Sequence, residues 1–256
     1  MSAHLSFRFD NQAVVVNTAS ARALLDGLAT RFRAGQGFSV ATINLDHLVK
    51  LRTGGAFLRA YCVHTFVVAD GNPIVWLSKL AGKPVELVPG SEMVEPLAAV
   101  AAECDVELAL VGATAETLAA AAEYLERQTP GLKVSVQIAP SGRFDAEGPE
   151  AGAIIQQLGQ SNARLCFLAL GAPRQEVFAA RAQAALPHMG FASIGAGLDF
   201  LAGSQQRAPK WARAIAMEWA WRLLSNPKRL AKRYLECALI LPGLLPEAIA
   251  QRRRAA

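Results

Sequence analysis

A chain of 256 residues and 27.2 kDa that is 52% hydrophobic and 18% charged, with a mean hydropathy of +0.24, can bury a large core; a disordered protein is excluded and membrane contact is worth testing. Its net charge of +5 is uneven, because residues 207–256 carry eleven Lys/Arg against three Glu, a charge of +8, and the remainder carries −3. Cys62, Cys104, Cys166 and Cys237 form no Cys-x-x-Cys pair and lie in apolar surroundings, which reads as buried thiols in a reducing compartment and excludes a disulfide framework and a zinc site.

The polar start, residues 1–10 with His4, Arg8 and Asp10, lacks a continuous apolar stretch and does not read as a secretory signal, so a cytoplasmic chain is expected. From there short β-rich runs alternate with longer stretches of helical periodicity. Strands are predicted over 38–43, 65–69, 106–111, 134–138, 165–170 and 191–194. Helices are predicted over 46–61, 73–80, 92–103, 115–128, 150–160 and 174–185. Strands that are apolar throughout, rather than at every second residue, predict a parallel sheet covered on both faces. The expected fold is α/β, a Rossmann-like parallel sheet sandwiched by helices over 1–206. After residue 207 the strand signal stops, and two Pro-punctuated helices, about 210–224 and 228–241, predict a basic helical C-terminal appendage over 207–256. Its apolar run, 237–245, is broken by Pro242 and falls short of the roughly 20 residues of a spanning helix, so the chain is expected to lie on a membrane without crossing it.

In such a sheet ligands collect beyond the carboxyl ends of the strands, and five segments fall there. Thr42-Ile43-Asn44-Leu45-Asp46-His47 places a hydroxyl and an amide just before a helix, as a ligand contact or as a cap by Asn44 or Asp46. In Asp70-Gly71-Asn72-Pro73, Asn72 and Pro73 suit the N-cap and first position of a helix. That leaves Asp70 as an Asx-turn residue or as a general base toward a hydroxyl nucleophile. Gly112-Ala113-Thr114 and Gly171-Ala172-Pro173-Arg174-Gln175-Glu176 are strand-to-helix turns whose N–H groups can hold a phosphate. Neither is a GxGxxG motif or a P-loop; together they make a nucleotide-diphosphate ligand plausible, with Arg174 as charge partner and Gln175 as hydrogen-bond donor. The fifth segment, Gly195 to Gly203, carries Gly197 and Asp199 and runs into Arg207.

The following helix puts Trp211, Ile215, Glu218 and Arg222 on one face, a pattern better suited to a core stripe with an ion pair than to catalysis. Trp211, Trp219, Trp221 and Tyr234 interleave with Lys228, Arg229, Lys232 and Arg233, which suits an anionic membrane surface. The stretch 238–245, which holds no charged residue, favours lipid over nucleic acid as the partner of this basic region.

These motifs, in this order, resemble the WecG/TagA/CpsF glycosyltransferases, glycosyltransferase family 26. The resemblance rests on Thr42-x-Asn44, Ala69-Asp70-Gly71, Gly90-Ser91-Glu92, Gly171 to Glu176, and Gly195 to Gly203. It continues through Arg207-Ala208-Pro209, Glu218-Trp219-x-Trp221-Arg222-Leu223 and Asn226-Pro227-x-Arg229 to Arg233-Tyr234, covering about 38–235. It implies inverting transfer from a UDP-sugar (of N-acetylmannosamine, uronate or glucose type) to a polyprenyl-diphosphate-linked saccharide, at the cytoplasmic face of a bacterial membrane, in surface polysaccharide or wall polymer assembly. It implies no cofactor and no bound metal, and the chain has no Asp-x-Asp motif. Carried over residue by residue, Asp70 would be the general base, with Thr42 beside it among the catalytic residues. Thr42 and Asn44 would line the sugar pocket, Gln175 would contact the donor, and Arg207, Arg222 and Arg229 would belong to an appendage that closes over the site. Gly112, Gly171, Arg174, Gly197 and Asp199 complete the expected substrate-binding set. A homo-oligomer is a further expectation.

The chain departs from the family at one place. An Arg-Val-x-Gly pattern is common before the Gly90 position, where this chain reads Leu87-Val88-Pro89-Gly90. Either Arg174 or Arg207 replaces that cation, or the donor is not an N-acetylmannosamine nucleotide. A non-catalytic membrane-surface protein that binds nucleotide sugars is the second reading. A nicotinamide- or adenosylmethionine-dependent enzyme is disfavoured, because no GxGxxG follows the first strand.

Overall fold

The computed structural model describes residues 4–9, 11–205, 208–209, 217–225 and 227–255, with the backbone alone at 222, 225, 229 and 255. An antiparallel hairpin comes first, β1 (Leu5–Phe9) and β2 (Gln12–Val16), in register from Leu5↔Val16 to Phe9↔Gln12. Leu5, Phe7, Val14 and Val16 share its buried face. Helix α1 (Ala21–Arg33) follows, capped by the Ser20 hydroxyl, which accepts from Ala23 N at 3.1 Å. Leu24, Leu28 and Phe32 form its buried stripe at every fourth position. Neither the hairpin nor α1 was expected from the sequence, because the five-residue strands interleave their apolar side chains with Ser6, Arg8 and Gln12 and read as a polar start.

The alternation predicted beyond this point is present. In chain order come β3 (Phe38–Ile43), α2 (Leu45–Leu51), α3 (Gly55–Val63), β4 (Phe66–Ala69), α4 (Asn72–Leu80), a single 3-10 turn (Gly90–Glu92) and α5 (Val94–Glu103). Then follow β5 (Glu107–Gly112), α6 (Ala115–Gln128), β6 (Val134–Ile138), α7 (Pro149–Gly159), β7 (Ala163–Ala169), α8 (Arg174–Ala185), β8 (Gly190–Ser193) and α9 (Gly197–Leu201). The helix expected over 46–61 is two helices, because Gly54 and Gly55 adopt φ values of 69° and 73° that no right-handed helix contains.

Strands β3 to β8 form one parallel sheet in the order β4-β3-β8-β7-β5-β6. Every residue of β3 is buried, which is why this strand reads as continuously apolar. Phe38 and Val40 face the core that α1 and α5 close, while Ala41 and Ile43 face the core shared with the hairpin. A third cluster lies between α7, α8 and strands β5, β7 and β8.

At the C-terminus are α10 (Glu218–Ser225) and α11 (Pro227–Ala255). Expected to end near 241, the last helix instead runs on through Pro242 and Pro246. The carbonyls these prolines leave without a helical donor belong to Ala238 and Pro242, both on the exposed side where water can serve them. Helix α11 lies over α2 and α4, with Ile240, Leu244 and Ala248 buried among the hairpin residues. The hairpin clasps its end: Ser6 N donates to Gln251 Oε1 at 3.2 Å, Gln251 Nε2 donates to Ser6 O at 2.6 Å, and Arg8 N donates to Glu247 Oε1 at 3.4 Å. Among the described residues no helix is long and apolar enough to cross a membrane.

Candidate active site at the carboxyl edge of the sheet

Parallel strands end on one side, so the turns after β4, β3, β8, β7 and β5 line a single edge. The register Ile43↔Ala69 makes Asn44 and Asp70 the next residues out on neighbouring strands, and Asp70 N donates to Ile43 O at 2.8 Å. Asn44 divides its amide between two tasks. Its Oδ1 caps α2 by accepting from His47 N at 3.1 Å, and its Nδ2 donates to Asp70 Oδ2 at 3.3 Å. The carboxylate at the end of β4 is thereby held in place by the first residue beyond β3. The cap of α4 falls on Gly71 rather than on Asn72, because the helix already includes Asn72 and places Pro73 in its first turn.

Beneath this pair lies a buried polar knot. The Thr42 carbonyl accepts from the Tyr61 hydroxyl at 2.6 Å and meets His47 Nδ1 at 2.7 Å, with Tyr61 Oη and His47 Nδ1 2.8 Å apart. The short contact to a carbonyl assigns the proton to Nδ1. Burial pushes the His47 imidazole down to about 4, outweighing the upward pull of the Asp46 charge, so the ring is neutral. Burial, with the charges of Glu176, Asp70 and Asp46 added, raises the Tyr61 phenol well above its ordinary value and keeps it protonated. Asp46 binds two cations, Lys50 Nζ at 2.7 Å and Arg233 Nε at 2.9 Å. The second ties α11 to the helix that Asn44 caps. Arg233, read from the sequence as part of a basic outer face, reaches back to α2 while its side chain stays 43% exposed.

On the other side of the crevice α8 begins at Arg174, which is exposed. Gln175 and Glu176 are buried, and Gln175 Nε2 donates to Glu176 Oε1 at 2.8 Å. Burial pushes the Glu176 carboxyl up to about 7, against the lowering effects of the Gln175 bond, its own backbone N–H and the Lys50 charge. Gln175 Oε1, Glu176 Oε2 and Ser193 Oγ are buried with no partner among the described residues. The segment before Gly90 runs along the same edge, with Val88 N donating to Ala69 O at 2.7 Å. A Cβ on Gly90 would stand 3.0 Å from Thr42 Cγ2 and 3.1 Å from Ser193 O, so a side chain there would press this turn away from β3 and β8.

An edge that gathers these turns around an Asn-held carboxylate can deprotonate a hydroxyl and hold a diphosphate. The sequence profile of the glycosyl transferase WecG/TagA/CpsF family matches residues 10–255. The chain belongs to the WecG/TagA/CpsF family. It is similar to a Bacillus spizizenii protein named N-acetylglucosaminyldiphosphoundecaprenol N-acetyl-beta-D-mannosaminyltransferase, with 28% identity over 165 residues. The match covers 64% of this chain and 62% of that relative's own length.

The expected WecG/TagA/CpsF motif residues separate into three groups. Thr42, Asn44, Asp70, Gln175 and the Gly171 turn line the edge, and Gly171 has a φ of 71° with open space beside it. Gly112, Gly197 and Asp199 have local explanations. A Cβ on Gly112 would stand 2.4 Å from Ala169 O, and one on Gly197 2.6 Å from Val94 Cγ2. Asp199 accepts from Ser204 Oγ at 3.3 Å and from Gln205 Nε2 at 3.0 Å, closing its own loop. Arg207, Trp211 and Ile215 lie outside the described residues, as do the side chains of Arg222 and Arg229 on α10 and α11. At the place of the common family arginine stands Leu87, 41% exposed and next to the residue bonded to Ala69.

Sequence reasoning gave no role to Tyr61, His47 or Glu176, and offered Asp46 only as an alternative helix cap, a task that falls to Asn44. Only Glu176 had a usable signal, since its spacing to Ala179 and Ala182 puts it on the buried face of α8.

Proposed function

We propose that this protein is an inverting glycosyltransferase that moves a sugar from a UDP-sugar to a polyprenyl-diphosphate-linked saccharide, with Asp70 as the general base. The observation that carries the reading is the Asn44–Asp70 pair, a carboxylate aimed by an amide at the carboxyl edge of a parallel sheet. The acceptor hydroxyl oxygen attacks the anomeric carbon from the face opposite UDP. Its proton passes to Asp70, the bond from that carbon to the β-phosphate oxygen breaks, and UDP departs with the electron pair. The N–H groups that open α8 and the Arg174 guanidinium offset the charge that builds on the diphosphate, in place of a bound metal. The name of the Bacillus spizizenii relative makes an N-acetylmannosamine nucleotide the first donor to test and a diphosphoundecaprenol-linked N-acetylglucosamine the first acceptor.

The same reading places the protein on the surface of an anionic membrane. Leu235, Leu239, Pro242, Pro246 and Ile249 form an exposed stripe along α11, opposite the face buried on the hairpin. Trp219, Trp221 and Leu224 of α10 are exposed as well, with Trp219 edge-on to Tyr234 of α11, and Lys228, Lys232 and Arg252 to Arg254 supply positive charge at the two ends of α11. Through Arg233 and Asp46 this surface is tied to the helix beside the base, which suits an acceptor delivered from lipid.

The deciding experiment measures UDP release with the lipid-linked acceptor and a panel of UDP-sugars, beside Asp70→Asn. Turnover with one donor, abolished in a variant whose melting temperature is unchanged, is the expected result. Donor binding without any turnover would favour the non-catalytic reading.

A further inference from the structure

Gln175 and Glu176 open α8 side by side, both buried, and a single hydrogen bond joins them. The two atoms left over, Gln175 Oε1 and Glu176 Oε2, are both acceptors, and neither has a partner among the described residues. Two unmet acceptors on adjacent buried side chains form an unbalanced arrangement, short of one proton. A carboxamide offers a way out, since half a turn of its terminal group exchanges Nε2 for Oε1 with almost no change in shape. If Glu176 carries a proton, the turned amide accepts it through Oε1, and Nε2 becomes the atom left over.

We propose that Glu176 is a positioning residue that sets the polarity of Gln175. Ionised, it holds the amide nitrogen and leaves Gln175 presenting a carbonyl oxygen to the bound nucleotide sugar; protonated, it donates to that oxygen and leaves the amide N–H groups to be presented. The inference rests on the reading of Gln175 as a donor contact given above. Complete burial drives the choice toward the neutral acid, lifting the group to about 7, so both forms are populated around neutrality. From α2, Lys50 favours the carboxylate and Asp46 opposes it; from α3 comes the neutral Tyr61 phenol, whose own proton is held more tightly by the Glu176 charge. A substrate group that donates, such as a sugar hydroxyl, meets its partner above the transition, and a group that only accepts meets its partner below it.

The test reads the side-chain amide directly. In uniformly nitrogen-15-labelled protein, the Gln175 NH2 resonances, assigned by their loss in Gln175→Leu, are followed from pH 5.5 to 8.5. A single transition with a midpoint within about one unit of 7, absent from Glu176→Gln, is the expected outcome. A flat Gln175 signal in the wild type overturns the proposal, and so does the same transition persisting in Glu176→Gln. Should that variant fail to fold, the wild-type titration alone decides. In the transfer assay the same transition is expected in KM for the UDP-sugar, by about tenfold and without a matching step in kcat. A protein that transfers no sugar would end the functional reading while the amide titration still tested the switch.

Discussion

Asn44 both starts a helix and aims a carboxylate, and two substitutions separate these tasks. Asn44→Ala loses both, so it is expected to lower stability by about 1 kcal/mol and to reduce kcat. Asn44→Asp keeps a capping oxygen but puts a second carboxylate about 3 Å from Asp70, where like charges raise the proton affinity of the pair. Its melting temperature should stay near that of the wild type in mild acid, where the pair shares a proton, and fall below it as pH rises, while the pH–rate profile moves to higher pH. A wild-type profile in Asn44→Asp would remove Asn44 from the site. Both residues were legible because each stands directly after an apolar strand, where local pattern and topology point to the same edge. Tyr61 was not legible. Its contact with Thr42 spans 19 residues and exists only because Gly54 and Gly55 turn the predicted single helix back on itself. No periodicity in the sequence announces a side chain that reaches a carbonyl on another element.

Helix α11 is apolar on two opposite faces, and only one is buried in the fold. Ile240→Ala and Leu244→Ala open cavities beside the hairpin core and are each expected to cost about 2–4 kcal/mol in chemical denaturation. Leu239→Ala, at a position 70% exposed, should leave that stability unchanged and weaken cosedimentation with phosphatidylglycerol vesicles. Vesicle binding equal to the wild type in a Leu239→Ala, Leu235→Ala double variant would rule out this face as the membrane contact. The double-faced pattern also explains what the sequence hid. With apolar residues on both sides, the run 237–245 has no clean amphipathic period, and Pro242 reads as a stop although the helix passes through it. The strands of the sheet were readable to within two residues because the inner ones are buried on both faces, while β6 at the edge shows a clean alternation of partly buried and exposed residues. The hairpin strands, buried on one face only and five residues long, were too short to show their alternation.

At the scale of the molecule, three buried groups among the described residues carry shifts that cross the range from pH 4 to 8. His47 and His64 are held down to about 4 from an ordinary 6.5, chiefly by burial. The unfolded chain therefore takes up two protons that the folded one refuses, and stability is lost as pH falls from 6.5 toward 4. Glu176 acts in the opposite sense: raised to about 7 from 4.5, it contributes fully below 4.5 and loses that contribution as pH rises through 7. Two groups outweigh one, so the melting temperature is expected to climb from pH 4 to about 6.5 and then to fall slightly before levelling. Glu176→Gln should melt higher than the wild type at pH 8, by up to roughly 3 kcal/mol of stability, and close to it at pH 5. A variant no more stable than the wild type at pH 8 would contradict this assignment of Glu176. The clasp between Ser6 and Gln251 has a consequence for synthesis, since it joins residues 245 apart in sequence. The apolar face of the hairpin rests on α3 and β4 as well as on α11, so the part that α11 covers stays open until residues 227–255 are made, which at about 5–20 residues per second is on the order of ten to fifty seconds after the hairpin itself. During that time the uncovered apolar strip is a binding target for a ribosome-associated chaperone, and only the cluster shared by the hairpin and α11 waits for residues far apart in sequence to meet.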